Sequence, residues 1–115
     1  MDKTAECQLY RSVVYRALYD ALGFTGLPKG SEEHKDTVGK ARRWFYDATE
    51  DFDISCEIAC LDRHTVRKNV INLIEARQSG DYSRIPSFWQ DCFKRNRAPS
   101  YGALQKDIDS ICGVM

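Results

Sequence analysis

The chain has 115 residues, 43% of them hydrophobic and 30% charged, with 17 basic and 17 acidic residues and so no net charge. That length suits one domain around one core, and its apolar runs are too short for a transmembrane helix. The opening MDKTAECQLY has no basic stretch followed by an apolar one, so a signal peptide is not expected and the cytoplasm is the expected location.

The first helix is predicted from about Thr4, as N-cap, to Leu22, with Gly23 closing it. Tyr10, Val14, Ala17, Leu18 and Ala21 recur at helical steps and form its apolar face, with Arg11, Arg16 and Asp20 off that face. GFTGLPKG is a loop, because three glycines and a proline in eight residues do not continue a helix. Ser31 caps a second helix, with Glu32 and Glu33 favoured in its first turn by the helix dipole. Val38, Ala41, Trp44 and Phe45 make its buried stripe, and Lys40, Arg42 and Arg43 are expected mostly outward.

A short third helix follows, capped by Asp51 or Asp53, with Phe52, Cys56 and Ala59 facing in. Cys60-Leu61 is the turn. Asp62 caps a fourth helix running to about Arg77, with Val66, Val70, Leu73 and Ile74 inward. Pro86 enters a fifth helix carrying Phe88, Trp89, Cys92 and Phe93. KRNRAPS breaks it, and Ser100 caps a last helix through Ile111, with Leu104, Ile108 and Ile111 on one side. Strand signals are weak throughout. The expected fold is therefore all-α, a compact helical domain of five or six helices containing a helix-turn-helix. Residues 1–80 form the helical domain, with the helix-turn-helix at about 51–77. Residues 81–115 form a C-terminal helical extension, packed on it or mediating dimerisation.

Charge is unevenly placed. Asp47 to Asp62 holds six acids and no Lys or Arg, whereas Arg63 to Lys106 holds nine bases against three acids. A neutral total therefore does not exclude an anionic partner. A helix-turn-helix needs small residues where its helices cross, a tight turn, an apolar plug and a cap. Cys56 and Ala59, Cys60, Leu61 and Asp62 fill those roles in order. Val66 and Val70 then anchor the second helix and turn Arg63, His64, Thr65, Arg67, Lys68, Asn69 and Asn72 toward solvent. Arg and Lys can reach phosphates or guanine edges, and Asn can pair with adenine. Lys94, Arg95 and Arg97 are a second candidate contact. The competing reading is that these residues are simply the solvated face of a helix and a solvated loop. Cys60 also stands where glycine is usual, since a Cβ disfavours positive φ.

ARRWF (Ala41 to Phe45), followed by DFDISCEIACLDRHTVRKNV (Asp51 to Val70), resembles small helix-turn-helix proteins of bacteriophages and prophages. LYRSVVYRALYDALG is similar to their N-terminal helix, so the resemblance covers about Leu9 to Ile74. Cys56, Ile58, Ala59, Leu61, Asp62, Val66 and Arg67 match the family pattern. Cys60 replaces its glycine, and Arg63 stands where proline is frequent. The resemblance implies double-stranded DNA binding, in phage gene regulation or packaging.

The spacing Cys56, Cys60, His64 could suggest zinc, with Cys7, His34, Cys92 or Cys112 as a fourth ligand. Zinc motifs place paired cysteines in a loop rather than along a helix, so small packing thiols are preferred, and no metal or cofactor is expected. The odd count of five cysteines also argues against a disulfide framework. No phosphate-cradling loop, nucleophile elbow or HExxH is present, so an enzyme is not expected. Trp44, Phe45, Phe52, Phe88, Trp89 and Phe93 could stack bases, but their helical spacing favours core. The second class of function is a protein-interaction module that binds or inhibits a host protein through the acidic Asp47–Asp62 face. A homodimer would offer two DNA half-sites, with Phe88, Trp89 and Phe93 as the expected interface.

Overall fold

The computed structural model describes residues 3–106, and side chains from Ala5 to Leu104. Its elements are α1 (Lys3–Ala21), α2 (Glu32–Asp47), α3 (Glu50–Ile58), α4 (Arg63–Ser79), α5 (Ser87–Arg95) and α6 (Tyr101–Lys106), with no strand among the described residues. The fold is thus all-α, as the periodicity requires. The expected continuation of α6 through Ile108 and Ile111 lies outside the described residues.

Local signals place most helix ends. Ser31 is the N-cap of α2, its hydroxyl accepting from His34 N. Asp62 and Pro86 stand at the N-caps of α4 and α5. Two caps differ from expectation. α1 already contains Lys3, so Thr4 lies within the helix. Thr49, not Asp51 or Asp53, stands at the N-cap of α3, though without a side-chain capping bond; both carboxylates fall in the first turn and have other partners. Asp51 accepts from Trp44 Nε1 at 2.8 Å and Asp53 pairs with Arg63 at 3.4 Å.

α1 packs on α2 and α3, and these pack on α4. Val14, Tyr15 and Leu18 of α1, with Leu22 just after it, meet Phe45, Phe52, Leu61, Val66, Val70 and Ile74 in one buried cluster. Burial of such side chains, about 1.5–3 kcal/mol each, is the main force holding the helices together. Ile85, Trp89, Phe93 and Leu104 belong to the same cluster. The C-terminal third is therefore part of this core as far as it is described. Trp89 and Phe93 are buried, so they present no surface to a second copy; Phe93 packs against Phe24 and under the Arg77 guanidinium instead. The same burial removes Phe45, Phe52, Trp89 and Phe93 as a base-stacking platform.

A second force is polar. Helix C-termini leave carbonyls without intrahelical partners, and buried ones need donors. Arginines from distant elements supply them. Arg42 Nε donates to Ala21 O at the end of α1, and Arg77 Nε donates to Leu22 O just beyond it. Arg67 donates to Phe45 O and Tyr46 O in the last turn of α2, at 3.1 and 2.9 Å. Arg11 Nε and the Cys7 thiol both donate to Ala59 O at the end of α3. Arg42 was expected to face mostly outward; it is half-buried and turned toward α1.

Candidate nucleic-acid interface

The connection from α3 to α4 spans only Ala59 to Asp62. Its geometry is a complete Schellman closure. Leu61 N donates to Cys56 O at 2.9 Å and Cys60 N to Glu57 O at 3.1 Å, while Cys60 takes the left-handed conformation at φ +59°. The residue standing where glycine is usual therefore adopts the glycine conformation, at a cost of roughly 1 kcal/mol. Leu61 is buried beside Cys56, the apolar contact that accompanies such a closure. Asp62 begins α4, and its carboxylate accepts from Thr65 Oγ1 at 2.5 Å. That hydroxyl holds the Asp62 carboxyl below its usual range.

Burial of Val66, Val70, Leu73 and Ile74 fixes the rotation of α4. His64, Lys68, Asn72 and Glu75 fall on its solvent side and are exposed. Their three- and four-residue spacing makes one stripe. The other expected contacts do not all join it. Arg67 is exposed in part, but its guanidinium is tied to the two α2 carbonyls. Its role as a free DNA contact is corrected to that of a tertiary cap, because its Cα faces the end of α2. Thr65 is half-buried with its hydroxyl on Asp62, and Arg63 is paired with Asp53. Asn69 is half-buried at the edge of the stripe.

The first turn of α4 is also ringed by acid. Asp53, Glu57 and Asp62 line one depression with Arg63 and His64. Like charge there repels phosphate, so the cationic part of the stripe lies at Lys68 and beyond rather than at the helix start.

One cation was missed. Arg84 is exposed beside the middle of α4, where it lines a groove of about 230 Å³ with Asn69 and Asn72. The 81–86 segment is shaped by Ser83 N and Oγ, which both donate to Asp81 Oδ1. Buried Ile85 pins it to the core. The signal was present in Arg84-Ile85-Pro86, since a buried Ile in a loop orients its neighbour outward.

Lys94, Arg95 and Arg97 are exposed but lie elsewhere. Asn96, between them, accepts from Arg77 Nη2 near the C-terminal end of α4. Lys68 and Arg77 are about 14 Å apart along the helix axis at 1.5 Å per residue. The two basic groups therefore form separate patches. Lys94 and Arg95 also sit in the last turn of α5, where the helix dipole favours cations.

Cys56, Cys60 and His64 form no ligand cluster. Cys56 is buried, and burial pushes its thiol up to about 12, whereas Cys60 and His64 are exposed. Cys60 was expected as a packing residue; at φ +59° its side chain points out instead. No group of three or more potential metal ligands occurs among the described residues, and no described helix is long and apolar enough to cross a membrane. No family model, curated protein or solved structure matches this chain.

Proposed function

We propose that the chain binds double-stranded DNA through the outward stripe of α4, in the manner of the phage and prophage helix-turn-helix proteins it resembles. The observation that carries this is the stripe of Lys68 and Asn72, flanked by Asn69 and Arg84, on a helix held by a tight left-handed turn. Lysine and arginine there would neutralise phosphates, and the asparagines are suited to base edges. Lys94, Arg95 and Arg97 form an outlying phosphate contact. A role in regulation or packaging follows from the resemblance.

The test is binding of labelled duplex across a salt series, comparing the wild type with Lys68→Ala plus Arg84→Ala. Binding should weaken steeply with salt, and the double variant should lose about 0.9 of log–log slope for each phosphate contact removed. A wild type that ignores duplex at low salt, or a double variant that binds equally well, would overturn the proposal.

One observation favours a second reading. Glu50, Ile54 and Glu57 share the outer side of α3, and Ile54 is exposed between the two acids. An apolar residue framed by carboxylates suits a basic protein partner, such as a host factor. A partner captured in an Ile54-dependent way, with no duplex binding, would select it.

A further inference from the structure

We propose that Cys7 and Cys60 form a reversible disulfide that ties α1 to the α3–α4 turn. Both are free thiols in this structure. The Cys7 thiol donates to Ala59 O at 3.2 Å. That carbonyl belongs to the peptide bond that joins Ala59 to Cys60, so the Cys7 sulfur lies against the backbone of Cys60. The Cys60 side chain is also near enough to act on the Cys7 thiol and help raise it.

Cys60 itself calls for explanation. Its left-handed φ of +59° disfavours any side chain, which glycine would avoid. Its thiol is exposed, so it fills no part of the core in return. A role in packing, the usual reason for a free cysteine, is therefore absent at this position. The other described thiols are worse placed. Cys56 is buried, with its thiol pushed up to about 12 by burial, and Cys92 is raised by burial as well. Burial, and then the neighbouring Cys60, raise the Cys7 thiol too; the Arg11 guanidinium, which shares the Ala59 carbonyl with it, offsets only part of this, so it is position at the turn that singles out this pair.

The chemistry is thiol–disulfide exchange with a low-molecular-weight disulfide as oxidant. The exposed Cys60 thiolate attacks one oxidant sulfur, forming a mixed disulfide and expelling one thiolate. Cys7 loses its proton to solvent and attacks the Cys60 sulfur, breaking the mixed disulfide and expelling the second thiolate. Two protein thiols are oxidised and one oxidant disulfide is reduced to two thiols. The bridge would fasten the turn that sets the direction of α4. It stands independently of the DNA-binding proposal, because its readout is covalent.

The full chain would be incubated with oxidised glutathione, quenched in acid, and mapped by mass spectrometry of non-reduced peptides. The expected product is a monomer lighter by two hydrogens, with Cys7 and Cys60 peptides linked. Its thermal midpoint should rise by roughly 5–15 °C and return on reduction. Cys7→Ser and Cys60→Gly should each abolish the link. Cys60→Gly keeps the test decisive, since glycine suits the left-handed turn and the fold should survive. A stable glutathione adduct at Cys60, a link to Cys112, only intermolecular bridges, or two thiols that remain free to alkylation would each overturn the proposal.

Discussion

Two basic regions of this molecule look alike in the sequence and do different work. Along the inner seams, Arg11, Arg42, Arg67 and Arg77 end on carbonyls of other segments. On the outer side of α4, His64 and Lys68 face solvent, with Arg84 alongside. The difference is one of helical phase. A buried helix C-terminus presents carbonyls that water cannot reach, and a planar guanidinium with several donors can satisfy more than one of them. An arginine whose Cα faces such an end is drawn inward, while one facing solvent keeps its donors for a partner. Counting Lys and Arg along the chain therefore overstates the cations available to an anionic ligand.

The sharpest way to break that comparison is to truncate an inner arginine. Arg77 donates to Leu22 O, Phe93 O and Asn96 Oδ1, and stacks 4.8 Å from the Phe24 ring centre and 5.1 Å from that of Phe93. Arg77→Ala should lose about 3 kcal/mol in denaturant unfolding, since it orphans carbonyls and removes ring contacts together. Arg67→Ala should lose somewhat less, about 2 kcal/mol, for its two carbonyls. An effect of a few tenths at both sites would mean that the seam is ornamental. It follows that a loss of DNA binding in Arg67→Ala would not by itself identify a DNA contact.

A pH experiment addresses the seam with the C-terminal segment. Tyr19 donates to Pro99 O at 2.8 Å and stacks on Tyr101. Burial, then the neighbouring Tyr101, pushes its phenol up from 10.0 to about 12. The folded state thus holds the proton more tightly than the unfolded chain. This contribution is complete below pH 10 and is lost as pH rises from about 10 to about 12. Unfolding midpoints should fall across that window, and Tyr19→Phe should flatten the fall. An unchanged alkaline slope in the variant would remove Tyr19 as its source.

Smaller effects belong to the turn and the outer face. Cys60→Gly should stabilise the reduced protein by about 0.5 kcal/mol, the relief of left-handed strain less the added freedom of a glycine in the unfolded chain. Lys68→Ala should change stability by no more than about 0.5 kcal/mol, yet weaken duplex binding and lower its salt dependence. Stability loss at Lys68 comparable to that at Arg77 would erase the distinction between the two regions.

Much of the fold was legible because its signals are local. Ser31, Asp62, Pro86 and Gly80 mark helix ends within a few residues of their effect, and the stripe Val66, Val70, Leu73, Ile74 sets the rotation of α4. The candidate site was legible only in part. The exposure of Lys68 and Asn72 follows from that rotation. The pairing of Arg63 with Asp53 and the tie of Arg67 to α2 do not, because their partners are ten and more residues away. Arg84 was missed for the same reason, since its place beside Asn72 depends on how the 81–86 segment folds back.

By itself, then, the sequence determined an all-α fold of five or six helices, most of their core faces and the place of the turn at Cys60-Leu61, since capping and periodicity act over one or two turns. Only the tertiary structure decided which cations are free. That choice depends on where each helix leaves its unpaired carbonyls, and packing between distant segments sets those positions.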